Sequence, residues 1–208
     1  MAIEFRMAAG ILGWAALVLQ YVLVLTGTLG ADSFTRSVNF FSYFTILVNI
    51  LAALALTLPW LAPQSQLGKF FAQPTVRTAI AAYIIIVMTI VYFILRHLTN
   101  LQGWDFVADL LLHYVMPVLF LIDWLFLVPK QTLKLRDTLG WLAFPVIYLV
   151  WTFIHGATSG FYPYPFLNTD KLGIARVLLN EVGLLIVFLV LGPLLVTGGR
   201  LLDRRLNP

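Results

Sequence analysis

The chain has 208 residues, 61% of them hydrophobic and 11% charged, with a mean hydropathy of +0.95. Charged residues make up about a quarter of an ordinary soluble domain, so a soluble globular fold is excluded and an integral membrane protein is implied. The formal charge of +4 does not mark a nucleic-acid binder, because Lys and Arg fall in connectors and tails, where they set topology and meet anionic headgroups. The absence of cysteine removes disulfides, thiol catalysis and cysteine-ligated metal or iron–sulfur sites.

At about 20 apolar residues per helical crossing, six spans use nearly the whole length. They are predicted at 7–26, 38–61, 78–97, 106–128, 139–156 and 174–197. The first follows Arg6 and resembles a signal peptide. Its apolar run is longer than a signal core, and Leu29-Gly30-Ala31 is a poor cleavage site, so it reads as a retained helix. Turn chemistry separates the spans at Gly27-Thr28-Leu29-Gly30, Pro63-Gln64-Ser65, Asn100 to Gly103 and Pro129-Lys130. The connector after span five holds Phe161-Tyr162-Pro163-Tyr164-Pro165-Phe166. Its prolines stop a helix, and its aromatics predict a cap at the interface. Pro117, Pro145 and Pro193 fall inside spans and are expected to kink them. Trp124 and Trp141 are expected at the membrane interface.

The fold class is therefore all-α, a single bundle of six transmembrane helices. One side carries Arg6, Lys69, Arg77, Lys130, Lys134, Arg136, Arg200, Arg204 and Arg205, against Arg36, Arg96, Lys171 and Arg176 on the other. The excess places both termini in the cytoplasm.

With that topology the polar side chains inside the spans gather at one level. Thr45, His113 and Glu181 each lie seven residues past the outer end of their span, about 10 Å down at 1.5 Å per residue. His155 ends span five at the same side. Ser42, Thr45 and Asn49 share one helical face, as do Tyr148, Thr152 and His155, while Asp109 and His113 form an i, i+4 pair. Buried ionisable groups are costly in hydrocarbon and mark function, so these residues predict one polar chamber.

Each residue type has a role to offer. The hydroxyl of Thr45 becomes a nucleophile if a base takes its proton. The imidazole of His113 is that base, and Asp109 or Glu181 can orient it. Asn49 is a candidate oxyanion donor. His155, Tyr162, Tyr164 and Phe166 are expected at the entrance, in contact with lipid. Glu181 is expected to pair with Arg176, His113 or Arg96, and Asp123 to be structural, paired with a connector lysine. No helix carries two histidines at ligand spacing, so neither a metal nor a cofactor is expected. The same ionisable set also suits a proton relay in a proton-coupled transporter, and a lipid-binding protein without turnover is the third alternative.

At Tyr43-Phe44-Thr45, at His113 ahead of Pro117 with Asp123 following, and at Tyr164-Pro165-Phe166-Leu167, the chain resembles the androgen-induced-gene-one-like family of six-span membrane proteins, through a bacterial branch. The animal members are intramembrane threonine hydrolases that cleave fatty acid esters of hydroxy fatty acids. The resemblance implies Thr45 as nucleophile, His113 as the matching histidine, and a lipid-like ester as substrate. Leu110 to Leu112 depart from the animal pattern, so the resemblance bears more on the active site than on the substrate. It further implies a location in a bacterial cell membrane.

Overall fold

A computed structural model describes residues 2–27, 31–98 and 100–206. Thr28, Leu29 and Gly30, which carry the expected first turn, lie outside the described residues. All regular structure among the described residues is helical. Six helical stretches are long and apolar enough to cross a bilayer: Ala2–Thr26, Phe44–Leu61, Pro74–Leu95, Gly103–Leu127, Asp137–Ser159 and Ile174–Arg205. The protein is thus an all-α integral membrane protein. The chain divides into two compact units, residues 1–132 with four of these stretches and 133–208 with two.

In the first unit, α1 (Ala2–Thr26) packs on α3 (Phe44–Leu61) through small residues. Ala9, Gly10, Gly13 and Ala16 of α1 are buried, as are Ala52, Ala53 and Ala55 of α3. A Cβ at Gly10 would sit 2.5 Å from Thr57 Cγ2, and one at Gly13 would sit 2.7 Å from Met116 Cε. Gly10 thus lets α1 approach α3 closely, and Gly13 makes room for the Met116 side chain of α7, the kind of small-residue contact through which helices associate where no hydrophobic effect operates between them.

Span two differs from its prediction as one continuous helix. The short α2 (Ser33–Phe41) stops, Ser42 and Tyr43 turn, and α3 begins at Phe44. Asp32 caps α2 by accepting from the amides of Phe34 and Thr35. At its far end Ser42 Oγ donates to Val38 O, drawing that carbonyl into a side-chain bond. Phe40 is buried among Ala16, Leu17 and Ile46, with Phe41 packed edgewise and Tyr21 tilted against its ring. An aromatic anchor therefore sets the break. The sequence Phe-Phe-Ser-Tyr-Phe carries no Gly or Pro to announce it. Arg36 lies across the loop, with Nη1 donating to Leu25 O at 2.8 Å and Gly27 O at 2.5 Å. Carbonyls at and just beyond a helix C-terminus run out of helical donors, and the guanidinium supplies one here.

The short α4 (Gln66–Ala72) is capped by Ser65 Oγ, which accepts from Gly68 N. Next, α5 (Pro74–Ile90) starts on proline, favoured in the first helical turn. It continues as a π turn at Val91–Leu95. The fourth stretch consists of α6 (Gly103–Leu110), a second π turn at Leu111–Val115, and α7 (Met116–Leu127).

One end of this unit holds a buried ion cluster. Asp123, fully buried, receives Arg77 Nη2 at 2.7 Å and Arg6 Nε at 2.6 Å. Arg6 also donates to Leu127 O at 3.0 Å. The expected lysine partner is corrected: the two arginines reach Asp123 from near the starts of α1 and α5. Lys130 instead donates to Leu125 O and Val128 O, closing the carbonyl end of α7. The expected interfacial tryptophans are both buried. Trp124 is oriented inward by a bond from Nε1 to Thr78 Oγ1 at 3.0 Å.

In the second unit, α8 (Asp137–Gly140) is followed by α9 (Ala143–Ser159) and ends on Gly160 in a left-handed conformation, φ 71°. Pro145 lies in the first turn of α9 and produces no mid-span kink, because the helix restarts at Ala143. A 3-10 turn at Pro165–Leu167 and α10 (Thr169–Leu172) lead into α11 (Ile174–Leu206). Asn180 Nδ2 donates to Phe166 O at 2.8 Å, which fastens the aromatic connector to α11.

Candidate functional site

Thr45 sits in the first turn of α3 and is 6% exposed. The break at Ser42–Tyr43 is what places it there, rather than two turns along a continuous helix. Ser42, expected on the same face, belongs to the turn, and its hydroxyl bonds Val38 O. Asn49, one turn beyond Thr45, is buried. Its Nδ2 donates to Thr45 O at 2.9 Å and to Leu112 O at 3.1 Å. Both amide hydrogens are thereby committed to main-chain carbonyls. Asn49 has none left for an oxyanion, which corrects the role expected of it.

Leu112 lies in the π turn, beside His113, and packs with Ile46 and Ala53 of α3. The polar face of α3 and the turn that carries His113 are therefore joined by one amide and one apolar cluster. His113 Nδ1 lies 2.8 Å from Asp109 Oδ1, with Asp109 O at 3.2 Å. Both side chains are partly buried. An ionised carboxylate only accepts, so Nδ1 carries the proton, and in the neutral ring the lone pair lies on Nε2. Among the described residues His113 forms its hydrogen bonds through Nδ1, and the Thr45 hydroxyl is not one of its partners.

The other expected site residues belong to the second unit. His155 is buried in α9, stacked on Trp151 with ring centroids 5.4 Å apart and planes 7° from parallel. Phe161 meets the same ring at 5.7 Å. Tyr162 packs over Gly156 and hydrogen-bonds Thr169 through its hydroxyl. Tyr164 and Phe166 stack at 5.3 Å. The connector is thus ordered, its aromatic rings packed on one another and on α9.

Glu181, on α11, keeps Oε1 buried with no hydrogen-bond partner among the described residues. Arg176 does not pair with it. Arg96 lies over the ring of Tyr92 and donates to His97, while His113 is held by Asp109. The π turn and the arginine cluster on Asp123 escaped the sequence reading. Pro117, four residues after His113, was the available signal for the first. Arg77 reads as a loop residue in the sequence, because nothing local distinguishes a loop arginine from one drawn into the protein.

No family model matches the chain, and no curated protein or solved structure is significantly similar to it.

Proposed function

We propose that this protein is an intramembrane hydrolase that cleaves acyl esters of a lipid-like substrate of the fatty acid ester class, with Thr45 as nucleophile and His113 as general base. It works without a metal or other cofactor, in a bacterial cell membrane, with both termini on the cytoplasmic side. The observation that carries the reading is the ion pair, 2.8 Å long, between Asp109 at the end of α6 and His113 in the π turn that packs on the helix bearing Thr45. π turns recur at functional sites because they displace a side chain from its α-helical direction.

In this mechanism His113 Nε2 takes the Thr45 proton as Oγ1 attacks the ester carbonyl. The tetrahedral intermediate expels the alcohol, which receives that proton from the imidazolium, and an acyl-threonine is left. Water, activated by the same Nε2, then releases the fatty acid. Asp109 holds the tautomer and stabilises the imidazolium, the role of the third member of a catalytic triad.

A second reading, a proton-coupled carrier, draws on the unpartnered Glu181 oxygen. One set of assays separates the two. Detergent-solubilised protein is treated with a lipid-tailed fluorophosphonate, which reacts only with an activated hydroxyl. Labelling is expected at Thr45, absent in Thr45→Ala, slowed in His113→Ala and retained in His155→Ala. Labelling that survives Thr45→Ala ends the hydrolase reading, and loss confined to His155→Ala removes His113 as the base. Proton flux in liposomes that depends on Glu181 would favour the carrier.

A further inference from the structure

The π turn at Leu111–Val115 has an origin in the sequence. Pro117 has no N–H, and a proline ring inside a helix clashes with the carbonyl four residues back, here that of His113. Widening the turn relieves that clash. The amide of Met116 then donates to Leu111 O, five residues back, instead of to Leu112 O. The donor that the wider register would offer Leu112 O is residue 117, which is the proline. Leu112 is buried, so water does not replace it. A buried carbonyl left without a donor is costly.

Asn49 Nδ2 fills that vacancy from the neighbouring helix, at 3.1 Å, and its other hydrogen is anchored on Thr45 O. We infer that Asn49 is the positioning residue of the site: it supplies the donor that Pro117 withholds, and so fixes the π turn and the His113 imidazole against the first turn of α3. Only the consequence for turnover rests on the hydrolase reading. The lock itself follows from main-chain hydrogen bonding.

The test is a double-mutant cycle of Asn49→Ala and Pro117→Ala in the full chain. It is read by the imidazole ¹⁵N signals of His113, assigned by their loss in His113→Gln, and by the rate of fluorophosphonate labelling. Pro117→Ala restores an amide donor for Leu112 O within the helix. With Pro117 in place, Asn49→Ala is expected to shift the His113 signals and slow labelling by about 10²-fold, the scale of a roughly 1 Å misplacement. In the Pro117→Ala background the same substitution should change both far less. If Asn49→Ala alone does not fold, Pro117→Ala should rescue it. Equal shifts in both backgrounds, no shift in either, or a folding failure that Pro117→Ala leaves unrescued would each overturn the inference. An unmutated chain that takes no label removes the hydrolase reading alone, and the ¹⁵N cycle still decides the role of Asn49.

Discussion

Arg77 and Asp123, 46 residues apart in sequence, meet at 2.7 Å where neither reaches solvent, and Arg6 closes on the other carboxylate oxygen. One acidic side chain thus gathers the N-terminal ends of α1 and α5 onto α7. Two guanidinium groups share it, so removing the carboxylate leaves two cations without a counter-charge.

Asp123→Ala is accordingly expected to be severely destabilising. Removing one partner of a buried ion pair typically costs about 3–5 kcal/mol. Unfolding in mixed micelles, followed by circular dichroism against SDS mole fraction, measures it. An Asp123→Ala chain as stable as the parent would show that the cluster contributes nothing to packing. Replacing all three residues together with apolar ones should recover much of the loss, since no unpaired charge then remains buried.

Asp109→Asn tests the orientation of the base. Asparagine keeps the shape but can present an amide hydrogen to Nδ1, which favours the wrong tautomer for a base acting through Nε2. Labelling of Thr45 should slow by about 10²-fold or more, within the range that general-base catalysis supplies. The His113 ¹⁵N pattern should show the proton moving to Nε2. An unchanged rate with a changed tautomer would separate Asp109 from the chemistry.

The packing of the aromatic connector depends on a glycine. A Cβ at Gly156 would collide with the Tyr162 ring, whose hydroxyl is tied to Thr169. Gly156→Ala should therefore cost about 1–3 kcal/mol, as overpacking does. The second substitution Tyr162→Ala should relieve it, leaving the double variant close to Tyr162→Ala alone. Thermal melts of the four chains decide this, and additive losses would mean that the two positions do not collide.

The loop between α1 and α3 carries a pH prediction. The Thr35 amide, then its hydroxyl, hold the Asp32 carboxyl below its ordinary value of 3.8. A carboxyl lowered in the folded state stabilises α2 fully above that ordinary value and loses its contribution as pH falls through the lowered one. Amide protection at Phe34 and Thr35, corrected for intrinsic exchange, should therefore hold through neutral pH and fall only in strong acid. Asp32→Ala should remove the pH dependence. Arg36→Lys should expose the end of α1 to exchange, because a point charge cannot bridge the carbonyls that the guanidinium spans.

Asn49 shows where reading by residue type stops. Its position one turn past Thr45, and its share in a polar face, were visible from spacing. Its role was not, because the same carboxamide serves an oxyanion or a main-chain carbonyl equally well. The choice depends on Leu112, 63 residues away, which lost its helical donors to a proline. Asp109 and His113 were legible as a pair because both lie on one helix, one turn apart. The sequence marks Asp123 as structural but points to a connector lysine, whereas its partners come from α1 and α5.

The class of the protein, the number of its spans and the end of the fifth span ahead of the proline-bearing connector follow from the sequence alone. They depend on local quantities: the length of an apolar run against the thickness of a bilayer, and the backbone limits of proline and glycine. The tertiary structure decided the break ahead of Thr45, the inward turn of Arg77 and the donor for Leu112. Each of these is a buried polar group, or an aromatic anchor, whose partner lies on another helix. Which partner it finds depends on the faces that meet, and that is settled only when the helices pack.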